Sequence, residues 1–480
     1  MAFNSFGFLV FLATTIAVHF VLPRRWRWLL LLVASLYFYS QFQLRFVLLL
    51  GASTGAAYVA GLSIALGRAP IAHAAAWLGV AMQVAVLAVY KYADFLLGSV
   101  EAGFAGLGLA LLPAPLPRLD LILPAGLSFY IFSAISYLID VRRGTIPAEL
   151  NPLRLALYIS FFPKLIAGPI ERAGAFLGQL AAPAPFSPAL FVAGLQLVLL
   201  GLVKKVVIAD RLAEFVNAGY ANPALQSPVT LLVAVYLYPF QIYCDFSGYS
   251  DIAIGAAALF GVRLMQNFCR PYLATSVVEF WGRRWHISLM AWFRDYLYIP
   301  MGGNRVSALR RHLNVMAVFL VSGLWHGAAW TFVAWGALNG AYQVLHAASG
   351  GARARLAKVL PGPLWLALSG ILTFHLILVT WIFFRAETIA KAWTVLTRIV
   401  DAIPQYPALF ATYVWPAELR LACALVVVLV MLEAWDEMRG FWRWLDARPT
   451  ALRWSFHLVA LAALLILGKW GAGQFVYAQF

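Results

Sequence analysis

Two histidines stand where a proton could be moved. His326 lies in VSGLWHGAAW (321–330), inside an apolar stretch that begins at Leu313. On a helix rising 1.5 Å per residue it would sit about 20 Å into a hydrocarbon layer of roughly 30 Å. A titratable group at that depth is costly and by default marks a functional site. Gly323 and Gly327 flank it at four-residue spacing, which lets another backbone or a ligand come close. A hydrogen-bonded core histidine at a small-residue helix crossing would look the same. His286 stands in RRWHISL (283–289). An imidazole there can take a proton from an attacking hydroxyl and return it to a leaving group, although a surface histidine at an interface is the plainer alternative. His375, within the apolar run 364–384, reads as a packing residue. His19, His73, His312, His346 and His457 fall near predicted helix ends or in loops and read as solvated.

Two carboxylates come next. DFSGYSDIAIG (245–255) places Asp245 and Asp251 around Ser247 and Gly248, as a polar break between two apolar runs. The pair suits acid–base work or a proton path, and equally the N-cap of a following helix, with Ser250 or Asp251 at the cap position. The cysteines, Cys244, Cys269 and Cys423, are widely spaced, with no metal-ligand or disulfide pattern, and read as packing residues. No phosphate-binding glycine loop, nucleophile elbow or zinc motif is present, so no metal is expected.

The elements that must position these groups follow from composition. Of 480 residues 63% are hydrophobic and 11% charged, against roughly 45–50% and 25% in a soluble domain. So few charges cannot cover a soluble surface, which excludes a cytosolic enzyme, a disulfide scaffold, a disordered chain and a free nucleic-acid binder. An all-α, polytopic membrane protein remains. Candidate spans run near 6–22, 28–44, 46–66, 74–97, 121–139, 153–170, 189–205, 229–247, 250–265, 313–330, 331–346, 364–384, 419–437 and 455–470. Those near 153–170, 250–265 and 313–346 are interrupted by Gly or Pro and suit re-entrant pieces lining a cavity. The first apolar stretch precedes its basic cluster, Arg24, Arg25 and Arg27, as in an uncleaved anchor. With that cluster cytoplasmic, alternation puts Arg68, Arg142, Arg143, Lys204, Lys205 and Arg353–Lys358 on the same side, provided that 153–170 crosses. LLPAPLPRLD (111–120) and PAPFSP (183–188) read as external loops. The formal net charge of +16 is in part this topological bias.

One segment is too charged to span. Between Gly261 and Arg311 lie eight arginines and two acids, Glu279 and Asp295, with aromatics interleaved. Trp281, Trp285, Ser288, Trp292 and Tyr296 recur at steps of three or four, which predicts an amphipathic helix, and Arg283, His286 and Met290 share the neighbouring face. An interfacial helix with an aromatic belt has this pattern. So does a surface that attracts an anionic ligand.

Taken together, LPAGLSFYIFSAISYLIDVRRG (123–144), FFPKLIAGPIER (161–172), DFSGYSDIAIG (245–255), NFCRPYLATSVVEFWGRRWHISLMAWFRDYLYIPMGGNR (267–305) and SGLWHGAAWTFVAWGALNG (322–340) resemble the membrane-bound O-acyltransferase family. The resemblance runs over about residues 1–390 and is strongest to the bacterial branch that O-acetylates alginate and other exopolysaccharides. It implies one membrane domain over residues 1–480, with core motifs in 121–346 and an interfacial segment in 261–311. Its fold is a ring of tilted helices around a tunnel, with re-entrant or interfacial helices. The resemblance also implies a catalytic histidine at His326 and a second essential polar residue at His286. The family's block reads FWRRWH, so Gly282 is an extra residue before Arg283, as in a helix bulge.

The implied donor is cytosolic acetyl-CoA, with no bound cofactor. The residues expected to hold it are Arg283, Arg284, Trp285, Arg294, Asp295, Tyr296 and Asn304, with Trp325, Asp245 and Asp251 from the neighbouring motifs. Arginines would attract the CoA phosphates while the pantetheine arm threads toward His326. His326 would act as general base, with His286 orienting the hydroxyl or stabilising the oxyanion; an acetyl-histidine intermediate is the competing route. The implied setting is the bacterial inner membrane, and the implied partners are membrane lipids, an acyl donor or carrier on the cytoplasmic side and a periplasmic acetyltransferase or carrier protein, with no nucleic acid. A polytopic transporter without bond chemistry is the rival class; it predicts matching broken halves, which the chain does not show.

Overall fold

The computed structural model describes residues 1–108, 116–183 and 185–471. Among these residues every regular element is a helix. Among the described residues six helical runs are long and apolar enough to cross a bilayer: Leu44–Leu66, Ala69–Gly106, Pro188–Ala221, Pro228–Leu259, Gly362–Arg385 and Thr450–Leu467. A 23-residue helix such as Leu44–Leu66 rises about 34 Å, enough for the roughly 30 Å of hydrocarbon. Pro228–Leu259 is the central pillar and packs on Pro188–Leu202, Asp210–Ala221 and Gly362–Arg385. Thr450–Leu467 buries almost nothing and stands at the rim. Phe6–Val21, Arg24–Ser40 and Leu127–Arg143 are shorter, with 16, 17 and 17 residues.

Several sequence expectations are corrected. The runs 229–247 and 250–265 form one helix, Pro228–Leu259, so Asp245 and Asp251 lie in its interior and neither Ser250 nor Asp251 is a cap. Residues 245–251 look like a break because Ser247 and Gly248 are small. They are small because the helix crosses another there: a Cβ on Gly248 would lie 2.8 Å from the Gly201 carbonyl oxygen and 3.1 Å from the Lys205 amide. The 153–170 stretch does not cross. It holds Pro152–Ser160 and the single turn Phe162–Leu165, and nine residues rise only about 13 Å. His19 is buried rather than solvated, and His375 is exposed, bonded to Tyr236 across 2.9 Å. Of the expected external loops, residues 111–115 and 184 lie outside the described residues.

Sidedness rests on contacts instead. Arg68 caps the Ala69–Leu87 helix, whose first-turn neighbour His73 lies 3.4 Å from Arg142. Arg143 donates to the Asp295 carbonyl at 3.1 Å, and Arg172 pairs with the Asp295 carboxylate at 3.0 Å. Arg68, Arg142, Arg143, Arg172 and Arg294 therefore gather at one end of the bundle.

Candidate active site

The predicted continuous amphipathic helix over 281–296 is broken at its histidine. Phe280–Arg284 forms a π turn, closed by the Trp285 amide donating to the Phe280 carbonyl at 2.9 Å, so the bulge expected at Gly282 is present. Trp285 is then extended, and His286 takes a left-handed conformation, φ 45° and ψ 50°. That conformation costs a non-glycine residue about 1–2 kcal/mol and persists only where its surroundings fix it. Asn267 does so. Its carbonyl accepts from Ile287 N at 2.9 Å, and its Oδ1 accepts from the amide and hydroxyl of Ser288 at 3.2 and 2.9 Å. The Ser288 hydroxyl in turn accepts from the Ile170 amide at 3.0 Å. Trp281, Trp285 and Trp292 are buried, so the expected aromatic belt is a core.

His326 is the last residue of the helix Ala308–His326, not a mid-helix residue; the chain turns at Gly327 and re-enters as Trp330–Ala348. This hairpin closes tightly, since a Cβ on Gly323 would lie 2.2 Å from the Phe332 carbonyl oxygen. The imidazoles of His286 and His326 have centroids 6.4 Å apart. They are 0% and 2% exposed, so no bulk water reaches either. Phe246 packs on His286 at 4.7 Å, while Trp335 and Phe384 flank His326 at 5.0 and 5.3 Å. Trp325 packs between His286 and Phe129.

His326 and Trp325 line a cavity of about 40 Å³. Leu123, Ala125 and Ile166 separate it from a second, apolar cavity of about 1450 Å³ bounded by Met1–Phe6, Phe42, Gln43 and the Thr450–Leu467 helix. His326 thus faces a small cavity that neighbours a wide apolar one.

The predicted donor set divides. Arg283 and Arg294 are exposed. Arg284 is buried in ion pairs with Glu279 at 2.7 Å and Glu437 at 2.9 Å, and Arg270 pairs with Asp436 and, at 2.8 Å, Glu437. Burial alone would raise the Glu279 carboxyl, but the Thr275 amide and hydroxyl and Arg284 hold it below the ordinary glutamate value. Asp295 joins Arg294 at 2.8 Å and Arg172 at 3.0 Å. These bonds outweigh its burial and keep its carboxyl below the usual aspartate range. Tyr296 donates to Asp140 at 2.8 Å beneath the guanidinium groups of Arg172 and Arg143. Asn304 accepts from Tyr298 at 2.7 Å on the exposed hairpin. Asp245 and Asp251 belong to another cluster: Lys205 bridges Asp245 and Asp210 at 2.6 and 2.7 Å, and Lys204 holds Asp251 at 2.8 Å. Their neighbour Phe246 packs on His286. Among the described residues no three His, Cys, Asp or Glu gather as a metal site.

Sequence reasoning missed one residue at the site, Lys91, and its neighbour Tyr92, which only caps the helix end beside it. Lys91 donates to the carbonyls of Trp325 at 2.6 Å and His326 at 3.1 Å, and Tyr92 donates to that of Leu324 at 2.7 Å. The signal was available: Lys91 is a cation inside the apolar run 74–97, where an ionisable side chain is a functional hint.

Comparison with known proteins gives one family. A model of the membrane-bound O-acyltransferase family matches residues 124–394. A protein of Azotobacter vinelandii named "Probable alginate O-acetylase AlgI" is 39% identical over 399 residues, 82% of this chain and 77% of that one. A "Peptidoglycan O-acetyltransferase" of Helicobacter pylori is 35% identical over 83% of this chain and 78% of its own. A "Teichoic acid D-alanyltransferase" of Bacillus subtilis is 28% identical over 46% of this chain and 58% of its own.

Proposed function

The chain belongs to the membrane-bound O-acyltransferase family, and from that premise we infer that it moves acetyl groups from cytosolic acetyl-CoA across the bacterial inner membrane to a periplasmic acceptor protein or exopolysaccharide. It is a multi-pass membrane O-acyltransferase. The observation that carries the finer reading is the meeting of His286 and His326, 40 residues apart in the chain, at 6.4 Å inside a water-excluding aromatic cage with a cavity beside it. In the reaction His326 takes the proton of an acceptor hydroxyl as that oxygen attacks the thioester, and His286 orients the hydroxyl. Acetyl-CoA carries phosphates and cannot enter hydrocarbon, so it binds from the arginine-bearing end while the acceptor arrives through the wide apolar cavity. The relatives named for alginate and for peptidoglycan O-acetylation support a glycan-side acceptor, and a periplasmic transferase or carrier is the partner that such a route calls for.

The test is acetyl transfer from labelled acetyl-CoA in proteoliposomes carrying acceptor on the opposite side. Covalent acetyl on the acceptor is the expected result; transport of solute with no new bond would overturn the reading in favour of a carrier.

The two adjacent arginines give a second test. Arg283 is exposed, so Arg283→Ala is expected to raise the apparent KM for acetyl-CoA and leave the melting temperature unchanged. Arg284→Met removes the guanidinium that Glu279 and Glu437 share, and hydrogen bonds to charged groups are each worth about 1.5–3 kcal/mol, so a lowered melting temperature is expected. An unchanged KM for the first variant would return that surface to an interfacial role.

A further inference from the structure

The helix that carries His326 ends inside the bundle, where its last carbonyls need partners. All four have one. The Gly327 amide donates to Gly323 O at 3.2 Å, Tyr92 to Leu324 O, and Lys91 to both Trp325 O and His326 O. Lys91 and Tyr92 are consecutive residues of a π turn, Ala88–Tyr92. An ammonium has three N–H groups, and among the described residues two of those of Lys91 are engaged by these carbonyls. The Lys91 side chain also lines the cavity of about 40 Å³ that His326 lines, as the one lysine or arginine among its described walls. The other walls are mainly apolar, Leu123, Pro124, Leu127, Phe129 and Ile166 among them. The cation is thus fixed by two bonds to the backbone of the helix end that carries His326, with a donor to spare, in a site of low polarity where a charge acts strongly.

We propose that Lys91 is the oxyanion donor of the reaction, its third N–H hydrogen-bonding the acyl carbonyl oxygen in the cavity beside His326. The inference rests on the acyl transfer proposed above. As the acceptor hydroxyl oxygen forms a bond to the thioester carbon, its proton passes to His326 and the carbonyl π pair moves onto oxygen, facing the Lys91 ammonium. When that pair re-forms the C=O bond, the C–S bond breaks, and the sulfur leaves with the bonding pair and takes the proton back from His326. Lys91 stays protonated throughout. Because it bonds to the His326 carbonyl as well, one side chain sets the distance between base and oxyanion.

The experiment compares Lys91→Gln, Lys91→Arg and Tyr92→Phe in the proteoliposome assay, with the unfolding temperature of each. Gln keeps N–H donors for the helix end without the charge; removal of one oxyanion donor costs about 10²–10³-fold in kcat, and that loss is expected for Lys91→Gln with the KM for acetyl-CoA unchanged within about twofold. Lys91→Arg is expected to recover most of the rate. Tyr92→Phe removes a cap from the same helix end but no charge, and stays within about threefold of wild type, since a neutral hydrogen bond contributes little. Lys91→Gln turning over at the wild-type rate, or activity in all three variants falling in step with folded protein, overturns the proposal. His326→Ala in the same assay separates the two readings. If it transfers acetyl normally, the proposed base is wrong; if it is inactive while Lys91→Gln is fully active, only the role of Lys91 fails.

Discussion

Replacing His326 by alanine or glutamine is expected to lower acetyl transfer by about 10²–10⁴-fold, the usual contribution of a positioned general base. Glutamine tests chemistry more cleanly than alanine, because it fills part of the imidazole volume among Trp335 and Phe384 and keeps polar atoms while it cannot accept and return a proton at neutral pH. The loss should fall on kcat, with acetyl-CoA binding little changed, since the arginine-bearing surface around Arg294 and Asp295 is a separate part of the molecule. His286→Ala is also expected to lose most activity. The double variant should be little worse than His326→Ala, because groups that act on one proton transfer are not additive. Labelled acetyl transfer, normalised to folded protein, measures all three. A His326→Gln enzyme that works at the normal rate would remove this residue from the mechanism.

Gly323→Ala is expected to destabilise the hairpin that ends in His326. The added methyl would meet the Phe332 carbonyl oxygen at 2.2 Å and its carbon at 3.1 Å, both backbone atoms that no rotamer change can move. Across the same crossing, a methyl on Gly336 would meet the Phe319 carbonyl oxygen at 2.4 Å. The two helices must therefore separate, and overpacking of this kind costs about 1–3 kcal/mol. Since His326 follows three residues later on the same helix, activity should fall with the melting temperature. Gly351→Ala is the control: nothing lies within 4 Å of its Cβ position, and alanine is the better helix former by roughly 1 kcal/mol, so that variant should be neutral or slightly more stable. Equal melting temperatures for the two variants would show that the close crossing is not needed.

The sequence exposed the candidate site more readily than its supports. His286 and His326 were legible because each stands in a block whose residue types are unusual for an apolar chain, and Gly323 announced a close helix crossing that is present. Gly282 marked a bulge, and a π turn occupies it. The central helix was less legible. Small residues at 247 and 248 signal a loop in one context and a helix crossing in another, and local pattern alone does not separate the two. Lys91 disappeared into hydropathy averaging over its neighbours, and the helix end it serves lies 235 residues further on. Arg283 and Arg284 are chemically identical neighbours. The difference between them is made by Glu437, 153 residues beyond Arg284, in a stretch where only apolar character was readable.

That last pairing sets an order of events during synthesis. Arg284 emerges from the ribosome without Glu437, and at roughly 5–20 residues per second the 153 intervening residues take about 8–30 s to follow. For that interval Arg270 lacks the counter-ions supplied by Asp436 and Glu437, and Arg284 has Glu279 alone; a guanidinium short of counter-ions resists transfer into hydrocarbon. The block bearing His286 must then wait near the lipid headgroups and settle only as the Ala417–Arg439 helix arrives. Closure of the candidate site is thereby timed to a late stage of translation, when the Glu437 end of its ion-pair cluster is made.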